Sequence, residues 1–306
     1  MSARELPVFH IDAFTRRRFC GNPAVVVLDA DCLTAAEMRM LANELHHGDT
    51  AFVLRPDAAD HDLKLRFFTP ARELPFAGHA TVAAHFALGL DAGTRNTPRT
   101  ARVRQHTGAG IIDVEVRGQG DERSIAMTLA PPTLGKVLDE REKSQVLDAL
   151  GLGSTELDPS CPLQVVLKGS TRLMVGLKSA RQLGGLRPDL GTLRRLSAHV
   201  GADGFFVFAR AGVEDGYLTE ARMFCPAIGV DEDPVSGNAH GMLGVYLVAH
   251  DLIAPGDGRT SFAGSQGRAL GRPGRVQVEL EVSGRSVSRV TIAGQAVLVY
   301  RTTVEI

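Results

Sequence analysis

Alternation of apolar and polar positions dominates the chain. Period-2 runs put every second side chain on one face of a strand, and they cover residues 7–14, 23–29, 50–55, 62–68, 110–117, 124–130, 163–168 and 172–177. Further runs at 204–210, 217–225, 274–282 and 287–300 carry the β-branched and aromatic residues that suit strands. Helical spacing is rarer. Thr34-Ala-Ala-Glu37 is a capping box that opens a helix to about His46. Residues 139–150, closed by Gly151, and 189–200 have helical patterns. Two segments, 79–90 and 238–251, are apolar all round and rich in small residues, as buried helices are. The pattern predicts a strand-rich α+β protein with two apolar helices that sheets can wrap.

Both apolar helices are entered through the same local sequence. Phe68-Thr-Pro70-Ala71 is followed by Pro75-Phe-Ala-Gly78-His79-Ala80. Phe224-Cys-Pro226-Ala227 is followed by Pro234-Val-Ser-Gly237-Asn238-Ala239, with three more residues between the two parts. The copies lie 156–159 positions apart in a chain of 306. That spacing predicts two similar lobes related by a pseudo-twofold axis; a chance recurrence of Gly/Pro-rich turns is the competing explanation. A helix start offers free N–H groups and a partial positive charge, and a glycine there lets a ligand approach the backbone. Two such starts facing each other would hold a small carboxylate or a developing enolate, with His79 and Asn238 turned into the cleft.

Charge removes several classes of function. Lys+Arg is 34 against Asp+Glu 35, and the basic residues, all but five of them Arg, form no block. Nucleic-acid and membrane-surface binders need clustered charge, so neither partner is expected. The chain shows no 18-residue apolar run and no signal-peptide core, so a cytoplasmic location is expected. Cys20, Cys32, Cys161 and Cys225 have no CxxC spacing and read as small buried or semi-buried hydrophobes. The ten His include no HExxH, so no metal site is expected. Gly151-Leu-Gly153 is not a dinucleotide fingerprint, because Glu156 stands at the third glycine position. No phosphate-binding loop occurs either, and no cofactor is expected. The 33 glycines, about 11% against a usual ~7%, point to many turns and close backbone approaches.

An ordered set of motifs resembles the phenazine-biosynthesis isomerase-like (PhzF-like) family, whose fold is that of diaminopimelate epimerase. The set comprises Phe19–Pro23 (FCGNP), Ala42–Glu44 (ANE), Thr50–Val53 (TAFV), Pro75–Ala80 (PFAGHA), Glu232–Gly237 (EDPVSG), Gly264–Gly267 (GSQG) and Gly271–Pro273 (GRP). The resemblance implies two pseudo-symmetric lobes, each a curled sheet or barrel around a central helix. Residues 1–120, joined by the C-terminal strand at about 294–306, would form one lobe, and 121–293 the other. It implies a homodimer and cofactor-free proton transfer, as in the isomerisation of trans-2,3-dihydro-3-hydroxyanthranilate. The acid/base carboxylate maps to Asp49, and the family's His and Asp map to His79 and Asp233. Gly78, Ser236, Gly237 and Asn238 fall on its substrate-binding turns. The characterised isomerase has Glu where this chain has Asp49, and Ser where it has Asn238, which puts the phenazine-pathway substrate in question. Two-thiol racemases of the wider fold have Cys before the helix-start glycine, where this chain has Ala77 and Ser236.

Each candidate has a plainer reading. In Gly48-Asp49-Thr50 the aspartate suits a solvated turn or an Asx-turn as well as acid/base work. A lone His such as His79 more often caps a helix or packs; its counterpart Asn238 in the repeat weighs against that. Asp233 precedes Pro234 where the first copy has Leu74, and this break in the repeat singles it out. Ser236 reads as a weak acid or as the cap of its helix, and capping is the favoured reading. Gly264–Gly267 reads equally as a pocket lining or a plain turn. Glu44, His46 and His47 suit the end of the first helix. The expected function is an isomerase of a small carboxylate-bearing metabolite. The alternatives are an epimerase or dehydratase of a small hydroxy or amino acid, and a non-catalytic small-molecule-binding protein of the same fold.

Overall fold

The alternating runs fold as strands in two compact units, Met1–Leu129 with Ala293–Ile306, and Ala130–Ile292. A computed structural model of the chain describes residues 4–46, 48–91, 100–210, 216–254 and 258–306. Unit 1 contains β1 (Glu5–Ala13), β2 (Asn22–Val27), α1 (Ala35–Leu45), β3 (Asp49–Leu54), β4 (Leu63–Phe68), β5 (Glu73–Leu74), α2 (Gly78–Asp91), β6 (Thr100–Thr107), β7 (Gly110–Arg117) and β8 (Ser124–Leu129). Unit 2 contains β9 (Thr133–Val137), α3 (Glu140–Leu150), β10 (Gln164–Lys168), β11 (Ser170–Leu177), α4 (Ala180–Gly185), α5 (Leu190–Val200), β12 (Gly204–Arg210), β13 (Thr219–Cys225), β14 (Val230–Asp233), α6 (Gly237–Ala249), β15 (Arg259–Gln266) and β16 (Gly274–Ser283). The chain passes from unit 2 back to unit 1 within β17 (Ser286–Glu305). The first division falls after Leu129 because β8 is hydrogen-bonded to β7.

The sequence repeat is a repeat of topology. In unit 1, β1–β2 is antiparallel, β2–β3 parallel, β3–β4 antiparallel, β4–β6 parallel and β6–β7 antiparallel. In unit 2 the same series runs through β10–β11, β11–β12, β12–β13, β13–β15 and β15–β16. Side chains outside the quoted motifs follow it. Arg66 makes a bidentate bond to Glu73, with both contacts at 2.7 Å, and stacks over Phe68. Arg222 does the same with Glu232, at 2.9 and 2.8 Å, over Phe224. Paired forks of this kind fix the short β5 and β14 strands against β4 and β13 just before each apolar helix.

The strands of each unit wrap one of these helices. α2 packs on β1, β2, β3 and β8, and Ala80 to Ala87 are buried. α6 packs on β9, β10, β11 and β16 and is buried over nearly its whole length. Small residues bring helix and sheet together: a Cβ on Gly241 would lie 3.0 Å from Ile292 Cδ1, and one on Gly244 3.1 Å from Val278 Cγ1. Among the described residues, no helix is long and apolar enough to cross a membrane.

Caps fall where expected. Thr34 Oγ1 accepts from Glu37 N–H, and Glu37 Oε2 accepts from Thr34 N–H. α1 ends on His46 in the left-handed region, φ 48°; His47 lies outside the described residues. Asp139 adds a second capping box, and Gly151 ends α3 at φ 71°. Three differences from the pattern stand out. Residues 100–107 and 133–137 form strands that alternation does not reveal. Gly264–Gln266, read as turn or pocket lining, belong to β15. Cys32 is exposed, whereas Cys20, Cys161 and Cys225 are buried.

Candidate active site

Asp49 is the first residue of β3, which places its side chain at the strand's end rather than in a loop. His79 is the second residue of α2. Their side chains meet, His79 Nε2 lying 3.5 Å from Asp49 Oδ2, with 18% and 15% of each left exposed. A carboxylate and an imidazole so placed can pass or share one proton while keeping access to a small ligand. Next in β3, the Thr50 hydroxyl is buried with no hydrogen-bond partner among the described residues.

The α2 start leaves donors in reach. The Ala77 carbonyl accepts the first helical bond, from Thr81 N–H at 2.9 Å, yet an alanine side chain has no oxygen with which to cap. A Cβ on Gly78 would find nothing nearer than 3.9 Å, so the protein's own packing does not require glycine there. Neither Gly78 nor Gly237 is among the positive-φ glycines. The value of Gly78 at its helix start is therefore open space, and neither glycine makes a turn that only glycine can make.

In unit 2 the corresponding turn is more fully tied down. Ser236 caps α6, its Oγ accepting from Ala239 N–H at 3.3 Å. Asn238, expected to face a ligand, donates through its Nδ2 to Lys168 O at 3.4 Å and Ser170 Oγ at 3.2 Å. That joins the α6 start to the β10–β11 turn. His240 Nδ1 bonds the Ser236 carbonyl at 2.9 Å, and burial lowers its pKa to about 4. Asp233 ends β14 and is half-buried. The structure thus brings Asp49 and His79 into contact in unit 1, and strings Asp233, Ser236, Gly237 and Asn238 along one turn in unit 2.

Gln266 is the residue that sequence reasoning missed. Its Oε1 accepts from Ser236 N–H at 3.0 Å and its Nε2 donates to the Asp233 carbonyl at 2.6 Å. One buried amide therefore closes the Asp233–Ser236 turn. Gly267 follows at φ 90°, and a Cβ there would stand 2.3 Å from Arg272 O and 2.8 Å from Pro234 O. The Gly264–Gly267 motif works through these close approaches to the turn. The available signal was a long amide side chain inside a run of small residues.

Two buried thiols, Cys161 and Cys225, are poor nucleophile candidates. Burial pushes Cys161 up to about 11 and Cys225 up to about 12.

Comparison with known proteins agrees with this architecture. The sequence profile of the phenazine biosynthesis-like protein family matches residues 11–302. An uncharacterized isomerase of Clostridium acetobutylicum is 40% identical over 298 residues, covering 97% of each chain. The trans-2,3-dihydro-3-hydroxyanthranilate isomerase of Pseudomonas aeruginosa is 34% identical over 285 residues, covering 93% of this chain and 94% of that one. A crystal structure of a phenazine biosynthesis protein of the PhzF family from Bacillus anthracis superposes with a TM-score of 0.86 at 28% identity, covering 99% of this chain and all of that one. With the profile matching nearly end to end and relatives above 30% identity over nine-tenths of their length, the chain belongs to the phenazine biosynthesis-like protein family, and both of these curated relatives are named isomerases.

Proposed function

We propose that the chain is a cofactor-independent isomerase that moves a proton between carbons of a small carboxylate-bearing metabolite. The Asp49–His79 contact at the starts of β3 and α2 carries this reading. In the proposed reaction the Asp49 carboxylate takes a proton from one carbon. The electron pair left behind delocalises toward the substrate carboxylate as an enolate. Asp49 then returns the proton to a second carbon, so nothing is gained or lost overall. His79 hydrogen-bonds the reacting group, and the uncapped N–H groups at the α2 start stabilise the developing negative charge. In unit 2, the turn of Asp233, Ser236, Gly237 and Asn238 offers polar groups of the kind that bind a small carboxylate.

One further observation favours a single shuttling carboxylate over two-base epimerisation. Phe68 pairs with Thr50, and its repeat partner Phe224 pairs with Phe205. The repeat equivalent of Asp49 is therefore Gly204, and that of His79 is Asn238, so the second copy supplies no acid or base at either position. The relatives in Pseudomonas suggest the substrate class. With Asp49 and Asn238 in place of Glu and Ser, the substrate is expected to be related in charge and size to dihydro-hydroxyanthranilate rather than identical to it.

The test is turnover in D2O with candidate cyclic hydroxy- and amino-carboxylates, comparing the wild type with Asp49→Asn. Product should form, with deuterium at the receiving carbon to the extent that Asp49 exchanges with solvent. Asp49→Asn should lower kcat by about 10²–10⁴-fold. Undiminished turnover in Asp49→Asn rejects the assignment of Asp49. Tight binding without product, equal in both proteins, shows a binding protein instead.

A further inference from the structure

The other end of β3 carries a cluster that the proton-transfer chemistry does not use. Asp57, His61 and His106 each present one potential ligand atom, all within 4.8 Å of one another. The His61 ring, with only 2% of its side chain exposed, is wedged between two carboxylates. Its Nδ1 lies 2.7 Å from Asp60 Oδ1, and its Nε2 lies 3.1 Å from Asp57 Oδ1. The Asp57 backbone N–H points at the same Nε2 from 3.2 Å. His106, beside Lys64 in the β4–β6 register, sets its ring 4.9 Å from that of His61. Its Nδ1 stands 4.0 Å from Asp57 Oδ1, buried and without a hydrogen bond among the described residues. Lys64 Nζ holds the other oxygen, Asp57 Oδ2, at 2.6 Å.

These contacts constrain the protons. An N–H directed at His61 Nε2 needs a lone pair there, so the ring proton sits on Nδ1 and goes to Asp60. That leaves two acceptor atoms side by side, His61 Nε2 and Asp57 Oδ1 at 3.1 Å, with His106 Nδ1 4.0 Å from the same oxygen. A cation among the three atoms would take the Nε2 lone pair over from the Asp57 N–H and relieve the contact between the two acceptors. Two imidazole nitrogens and a carboxylate oxygen form a borderline donor set that favours Zn²⁺ over Mg²⁺ or Ca²⁺. Ligand atoms about 2.1 Å from a tetrahedral zinc lie about 3.4 Å apart, between the 3.1 and 4.0 Å observed here. Asp60 supplies the outer carboxylate that orients a metal-bound histidine.

We propose that Asp57, His61 and His106 bind one divalent transition-metal ion of the zinc class, with solvent in the fourth position. The ion would pin the connection between β3 and β4 to β6. Five residue steps of β3, about 17 Å of strand, separate this end from Asp49, so the ion takes no part in proton transfer. The site is independent of the proposed reaction.

The experiment is calorimetric titration of the untagged, EDTA-treated and dialysed chain with Zn²⁺, alongside His106→Gln and Asp60→Asn. Both variants leave the buried His61 in place, so the fold is kept. One Zn²⁺ per chain is expected, with a Tm rise of a few degrees at saturating metal. Asp60→Asn should bind about 10–100-fold more weakly, and His106→Gln should bind at least as poorly as that. Bound Co²⁺ should show visible d–d bands that His106→Gln abolishes. No saturable binding below roughly 100 μM overturns the proposal, as does wild-type affinity in His106→Gln.

Discussion

Gln266→Met would keep the length of a buried side chain while removing both of its hydrogen-bonding groups. Two backbone groups then lose their partner, the Ser236 N–H now 3.0 Å from Oε1 and the Asp233 carbonyl now 2.6 Å from Nε2. An orphaned buried polar group costs about 1–3 kcal/mol. Asp233 and Ser236 are half-buried rather than sealed, so the lower half of that range applies, giving about 2–4 kcal/mol for the pair. Gln266→Glu separates the two bonds. Its first oxygen can still accept from Ser236 N–H, while its second faces the Asp233 carbonyl, oxygen against oxygen. That repulsion disfavours the carboxylate in the native state and raises the folded pKa of the introduced group above its unfolded value. As pH falls through that folded pKa the carboxyl gains a proton it can donate to Asp233, so the deficit relative to wild type shrinks.

Urea unfolding of wild type, Gln266→Met and Gln266→Glu at pH 7.5 and pH 5 measures both effects as differences at matched pH. Gln266→Met should be destabilised about equally at both. Gln266→Glu should be destabilised at pH 7.5 and recover part of the loss at pH 5. Because the same turn holds Asp233 and Asn238, both variants should also raise KM for a turned-over substrate. If both proteins stay within about 0.5 kcal/mol of wild type at pH 7.5, the amide does not hold the turn and the reasoning fails.

Two buried histidines set an acid limit. Burial depresses His85 and His240 to about 4 from 6.5, so the unfolded chain takes up their protons first. Stability is full above pH 6.5 and declines from there toward pH 4, by up to about 3 kcal/mol for each histidine; a flat urea-derived stability between pH 7 and 5 would refute this. Gly264→Ala would put a Cβ 2.2 Å from His240 Cδ2 and 2.5 Å from its Nε2. It should cost about 1–3 kcal/mol or more, and adding His240→Ala should recover part of that loss in a double-mutant cycle.

What could be read in the sequence was whatever a local pattern encodes. The repeat was legible because Pro, Gly and Phe at fixed offsets define the backbone of a turn entering a helix. The Arg66–Glu73 and Arg222–Glu232 forks escaped notice because three extra residues change the spacing from seven to ten. β6 was missed because its two buried positions, Gln105 and Thr107, are polar. Gln105 there is buried and bonds His85 Nε2 at 2.8 Å and Thr81 Oγ1 at 3.3 Å, which hides the alternation. Asp49 stood out only through the family resemblance, since Gly-Asp-Thr before a strand is an ordinary turn sequence. Gln266 with Asp233, and His61 with His106, are contacts between distant segments that no short-range spacing announces.

The repeat also separates scaffold from chemistry. Positions that match between the copies set backbone and packing: Arg66 and Arg222, Phe68 and Phe224, Glu73 and Glu232, Pro75 and Pro234, Gly78 and Gly237. Those that differ include the candidate site positions: Asp49 against Gly204, Leu74 against Asp233, Ala77 against Ser236, His79 against Asn238. Even the core obeys the exchange. Thr81 and Gln105 in unit 1 correspond to His240 and Gly264 in unit 2, a small helix residue with a large strand residue traded for the reverse. Divergence at the candidate site positions leaves the Asp49–His79 pair without a counterpart. A single base can both remove and return a proton, so this asymmetry is compatible with the proposed shift between carbons.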